Sequence, residues 1–123
     1  MFNISYIDVK KNSDQNLFFP RNNDVDISGM YLHKALFEGL NLYEINFSDT
    51  NLRSAWFIDS NFYNCDFSGV DFIAFTGLRT SFHNCTFNNA RFISSSFENC
   101  TWINPKLENV FIHNTEFING DLA

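Results

Sequence analysis

Along most of this chain a large apolar residue recurs at every fifth position, with a small or medium residue two places before it. The stretch from Ser60 to Phe72 shows the beat plainly: Phe62, Phe67 and Phe72 follow Ser60, Cys65 and Val70, and mainly polar residues fill the gaps. A spacing of five fits neither the 3.6-residue period of an amphipathic helix nor the alternation of a half-buried strand. It requires a backbone that turns through a constant angle every five residues, which is a repeat solenoid.

Read from position 27, the large row is Ile27, Leu32, Phe37, Leu42, Phe47, Leu52, Phe57, Phe62, Phe67, Phe72, Gly77, Phe82, Phe87, Phe92, Phe97, Trp102, Leu107, Ile112, Phe117 and Leu122. All but Gly77 are large and apolar, so this row is the expected core. Its aromatic members from Phe47 to Phe117 form the centre. The second row, two residues earlier in each unit, is mostly small, as at Ala35, Ala55, Ser60, Cys65, Cys85, Ala90, Ser95 and Cys100. Both rows are read as pointing inward. The position two after the large residue is rich in Asn (Asn64, Asn84, Asn89, Asn99, Asn104, Asn109, Asn114 and Asn119), and Asn, Asp and Gly tolerate tight-turn backbone. One turn per unit follows.

Units such as Ser60-Asn61-Phe62-Tyr63-Asn64, Val70-Asp71-Phe72-Ile73-Ala74 and Ala90-Arg91-Phe92-Ile93-Ser94 resemble the pentapeptide-repeat family, whose consensus is Ala-Asp/Asn-Leu/Phe-x-x. The resemblance covers residues 25–123. It implies an all-β fold, a right-handed quadrilateral parallel β-helix with four units per coil, here about five coils. On that map residues 20 apart stack on one face.

Residues 1–24 fall outside the register. Phe2, Ile4 and Tyr6 alternate like a strand, Lys10 to Asn16 is a polar turn, and Leu17-Phe18-Phe19-Pro20 is an apolar cluster. A first coil exposes a raw apolar end, so this segment is read either as an N-terminal cap or as a flexible leader. At the other terminus the pattern runs on through Leu122 with no helix to cover the last coil, leaving an open parallel edge. An end-to-end homodimer through the C-terminal coil would close it, as the resemblance also implies.

The beat breaks once. At Gly77 the large residue is missing while Phe75, two places earlier, is the bulkiest of its row. Either Phe75 fills the vacated volume, or Ala74 to Arg79 forms a projecting loop.

The candidate chemistry is thin. Cys65 and Cys85 stack in neighbouring coils and Cys100 falls on the adjacent face, all three more naturally packing groups than ligands or a disulfide. His33 and His113 share a face four coils apart and His83 lies on another, so no metal set is expected, and no cofactor. No nucleophile-with-base pair, phosphate loop or converging carboxylates emerge, and a filled β-helix has no pocket. The expectation is a non-catalytic binding module.

Its candidate surface is apolar: Leu36, Trp56, Ile58 and Leu78 on one face, with Ile73, Ile93 and Phe111 on the next, all at positions read as outward. Tyr43, Tyr63, His83 and Ile103 form a second outward column, read as a stacking ladder that supports the sheet.

Charge narrows the partner. With 14 Asp+Glu against 8 Lys+Arg the chain is acidic, which argues against direct nucleic-acid binding through phosphate contacts. A protein partner of unspecified identity remains. The resemblance adds DNA gyrase, since some family members imitate duplex DNA and protect the enzyme from quinolones or toxins. It also leaves room for an immunity-type protein that neutralises one partner. No stretch is long and apolar enough for a membrane helix, the first residues do not read as a signal peptide, and three cysteines without a Cys-x-x-Cys suit a bacterial cytoplasm.

Overall fold

The computed structural model describes residues 26–122. These form thirteen short strands in chain order: β1 (Leu36–Glu38), β2 (Asn41–Tyr43), β3 (Trp56–Ile58), β4 (Asn61–Tyr63), β5 (Asp71–Ile73), β6 (Thr76–Leu78), β7 (Ser81–His83), β8 (Arg91–Ile93), β9 (Ser96–Glu98), β10 (Thr101–Ile103), β11 (Phe111–His113), β12 (Glu116–Ile118) and β13 (Asp121–Leu122). No described residue is helical. The strands pair in parallel, each with the one 20 residues on, as in Leu36 with Trp56 and Phe62 with Phe82.

Three faces are sheets, ordered β1-β3-β6-β9-β12, β2-β4-β7-β10-β13 and β5-β8-β11. The fourth is a column of single bridges through Asp26, Asn46, Asp66, Thr86 and Lys106. The chain is therefore a four-sided parallel β-solenoid. Between the first strand of a face, Leu36–Glu38, and the last, Glu116–Ile118, the chain makes about four turns, slightly fewer than the five coils expected. The capping role assigned to residues 1–24 lies outside the described residues.

The corners explain the period. Every fifth residue from Gly29 to Asn119 has positive φ, the eight turn asparagines between 51° and 63°. Asn and Gly accept this left-handed region readily. The same conformation is imposed on Lys34, Glu44, Ala74 and Arg79, residues that do not favour it. At these positions the packed interior overrides local preference.

Two devices satisfy the corner amides. Some corners close with a backbone bond across the turn, such as Met30 N–H to Ile27 O (3.2 Å) and Ala90 N–H to Phe87 O (3.0 Å). Others lack it and use a hydroxyl from the coil above. Leu40 N–H donates to Ser60 Oγ at 3.1 Å, and Phe75 N–H donates to Ser95 Oγ at 3.0 Å. Each hydroxyl in turn donates to a carbonyl, Ser60 to Ile58 O (3.0 Å) and Ser95 to Phe72 O (2.7 Å). The inward serines and threonines thus meet a need of the backbone as well as filling small volumes. Thr50 departs from this pattern, because its buried Oγ1 has no hydrogen-bond partner.

The interior is a set of aromatic stacks. Phe47, Phe67 and Phe87 lie parallel at centroid distances of 4.7 and 5.2 Å. Phe72 lies over Phe92 at 4.9 Å, and Phe82 over Trp102 at 4.5 Å. Phe57, Phe62, Phe67, Phe72, Phe82, Phe87, Phe92 and Phe97 are all buried, as the register requires. Phe117 faces inward over Phe97 at 5.3 Å yet is 48 % exposed, because no described layer lies above it.

At Gly77 the exchange of volumes prevails over a projecting loop. β6 runs unbroken in register, Gly77 pairing with Phe57 and Phe97, and Phe75 is buried.

Candidate binding surfaces

The outward residues singled out from sequence split into separate columns. Ile58 sits beneath Leu78 on one face, and Ile73 beneath Ile93 on the adjacent one. All four are half-buried. Trp56 is 39 % exposed and pairs with Leu36, which is buried and so offers no contact surface of its own. The expectation that Leu36 faces water is corrected: burial in this layer depends on surroundings that a strand's alternation does not encode. Phe111, 53 % exposed, stacks above Arg91, whose guanidinium pairs with Asp71 at 3.6 Å. A charged pair therefore interrupts the apolar column beneath it.

Among the described residues, the densest exposed apolar surface is the last layer of the solenoid. Leu107, Ile112, Phe117 and Leu122, the four large residues of the last layer, are about half exposed or more, with Phe111 and Ile118 beside them. They enclose a cavity of about 460 Å³ whose floor is Phe92, Phe97, Cys100 and Trp102. Gly120 deepens it, since a Cβ there would lie 2.4 Å from the Cys100 carbonyl oxygen. The inward row that reads as core in sequence becomes a surface at this one layer.

The outward ladder is present as read. Tyr43, Tyr63 and His83 stack at 4.7 and 4.5 Å with nearly parallel rings. Beside it runs a polar ladder that the sequence did not disclose. Asn61 Nδ2 donates to Asn41 Oδ1 at 2.8 Å, Ser81 Oγ donates to Asn61 Oδ1, and His83 Nε2 lies 2.8 Å from Ser81 Oγ. The pairing of Ser81 with His83 departs from the expectation of no nucleophile beside a base. Its signal was the two-residue spacing that puts both side chains on one face of β7. Ser81 thus joins Asn61 and His83 in one side-chain ladder along the face.

Among the described residues, electrostatic perturbation on the outer surface falls on short pairs. Arg79 Nε lies 2.6 Å from Asp59 Oδ1, and this hydrogen bond holds the Asp59 carboxyl below its usual range. The Ser28 hydrogen bonds do the same for Asp26. Among the described residues no group of three or more His, Cys, Asp or Glu side chains could hold a metal ion, and no helix is long and apolar enough to cross a membrane.

Comparison with known proteins bears on the fold. The family model for pentapeptide repeats matches residues 45–73, in eight copies. No curated protein matches the chain. Among solved structures, a trypsin-treated variant of QnrB1, described as a plasmid-mediated fluoroquinolone resistance protein, superposes with a TM-score of 0.60 at 16 % identity. The match covers 77 % of this chain and 58 % of QnrB1, so this chain spans less than two-thirds of that protein's length. HetL, a pentapeptide-repeat protein involved in heterocyst differentiation regulation in Nostoc sp. strain PCC 7120, matches at 0.48 and 10 % identity, over 74 % of this chain and 48 % of its own. Rfr23 from Cyanothece 51142 matches at 0.41 and 14 % identity, over 93 % and 99 %. Residues 45–73 thus match the pentapeptide-repeat model in sequence, and the four-sided parallel coil with its five-residue register is the fold of the pentapeptide-repeat protein structures.

Proposed function

We propose that this chain is a non-catalytic protein-binding rod, and that its main docking surface is the exposed apolar face of the last described layer. The observation that carries this reading is the exposure of Leu107, Ile112, Phe117 and Leu122 around one apolar cavity. A contiguous apolar patch rimmed by polar residues is characteristic of a protein contact. A second copy of the same face is the partner that suits it, since it offers matching apolar side chains. The outward residues Trp56, Ile58, Ile73, Leu78, Ile93 and Phe111 are secondary contacts for a different protein on the side walls.

Sedimentation of the intact chain and of Ile112→Glu and Phe117→Glu tests the reading. The wild type should sediment as a dimer and both variants as folded monomers. A wild type that stays monomeric at its highest soluble concentration would sink it.

A second reading is a mimic of duplex DNA that engages DNA gyrase. The observation favouring it is the net charge of −6, carried on a rod with the fold of a fluoroquinolone resistance protein. Arg53, Arg79 and Arg91 break up the acidic surface and weigh against it. A supercoiling assay with purified gyrase decides: neither inhibition nor protection at micromolar protein would leave an adaptor or immunity-type role.

A further inference from the structure

Cys65 and Cys85 occupy the same corner of consecutive coils, the bridge between Asp66 and Thr86 fixing their register. Thr86 N–H donates to Cys65 O at 3.1 Å, so the two backbones are hydrogen-bonded beside the thiols. Strand neighbours in such a ladder stand about 4.8 Å apart, inside the Cα window of about 4.4–6.8 Å that a disulfide spans. Both side chains point inward, and both are buried. Their sulfurs sit over carbonyls of the coil below, Cys65 Sγ 3.7 Å from Leu42 O and Cys85 Sγ 3.5 Å from Phe62 O.

We propose that Cys65 and Cys85 form a cross-coil dithiol that hydrogen peroxide converts into an internal disulfide, a covalent staple between two turns of the solenoid. The reaction has two steps, and both electrons pass to peroxide in the first. One cysteine sulfur attacks a peroxide oxygen, giving a sulfenic acid and water. The second thiol then displaces a further water from that sulfur and closes the S–S bond, so two thiols and one peroxide yield one disulfide and two waters.

Burial pushes the Cys65 thiol up, and the hydrogen bond between the two thiols pulls Cys85 down. The first proton lost belongs to the hydrogen-bonded pair, so whichever sulfur attacks peroxide has its resolving thiol beside it. Peroxide, barely larger than water, is the oxidant suited to thiols this enclosed. Cys100 is the internal control. It is equally buried, and its thiol is pushed up by burial, but it stacks between Thr80 and Gly120 with no sulfur beside it.

Peroxide titration of the whole chain, followed by alkylation in denaturant and a non-reducing tryptic map, tests the proposal. The expected product loses two hydrogens, retains one alkylatable thiol of three, and joins the peptide 54–79 to the peptide 80–91. Its melting temperature should exceed that of the reduced chain and return on reduction. Cys100→Ser should behave like wild type, while Cys65→Ser should gain oxygen at Cys85 and show no thermal shift. Recovery of all three thiols, at peroxide doses that fully oxidise free cysteine in the same time, would overturn it. So would a disulfide that includes Cys100 or joins two chains.

Discussion

Phe75 lies in ring contact with Phe57 at 4.8 Å and with Phe97 at 5.4 Å, the two residues stacked below and above Gly77. The missing side chain at position 77 and the oversized one at 75 are two halves of one packing solution. A Cβ built on Gly77 would come within 2.7 Å of the Phe97 ring.

Gly77→Ala should therefore destabilise the protein by about 1–3 kcal/mol, the usual cost of overpacking a filled core. Combining Gly77→Leu with Phe75→Ala restores the family's order of small then large. The double variant should recover most of that loss in denaturant unfolding. Additive losses would show that the two positions do not share a volume.

Phe67→Ala removes a ring stacked between Phe47 and Phe87 and should cost about 3–5 kcal/mol. Phe117→Ala, in the open last layer, should cost well under half of that when measured on a monomeric background such as Ile112→Glu. Chemical denaturation of the two variants compares them directly.

Two threonines in the same inward row should respond with opposite sign. Thr80 Oγ1 donates to Leu78 O at 3.0 Å and accepts from Ser60 N–H at 3.4 Å, so Thr80→Val strands a buried amide and should cost about 1–3 kcal/mol. Thr50 Oγ1 has no partner, so Thr50→Val keeps the shape, removes the orphaned hydroxyl and should be neutral or stabilising by up to about 1 kcal/mol. Unfolding midpoints at matched m-values separate the two.

Ala74 holds φ at 54° in a corner where most units carry Asn or another turn-former. Ala74→Asn should raise stability by about 0.5–1 kcal/mol, because Asn enters the left-handed region at lower cost. A thermal scan beside wild type checks it.

The Asp59–Arg79 pair predicts a small dependence on pH. A carboxyl depressed in the folded state contributes stability above its unfolded value, and that contribution is lost as pH falls through the folded one. Both side chains are about half exposed, so the loss on acidification should be slight. In Arg79→Ala the Asp59 carboxyl should titrate at an ordinary value by NMR, and the acid limb should flatten.

The period of five is a local property, repeated unit after unit, so the sequence alone determined the coil, both inward rows and the place of every turn. It marked the Asn corners because Asn tolerates the left-handed backbone. It could not show that Ala74 and Arg79 would be driven into the same conformation, since that follows from packing on either side of the corner. Contacts between residues 20 apart lie outside any local pattern. Only the tertiary structure decided that Ser60 and Ser95 cap amides in the coil below, that Ser81 meets Asn61 and His83, and that Phe75 serves for Gly77. Burial likewise depends on what lies above and below a layer. Leu107, Ile112, Phe117 and Leu122 read as core by the same rule as Phe67, and they are exposed in the structure because no described layer is stacked upon theirs.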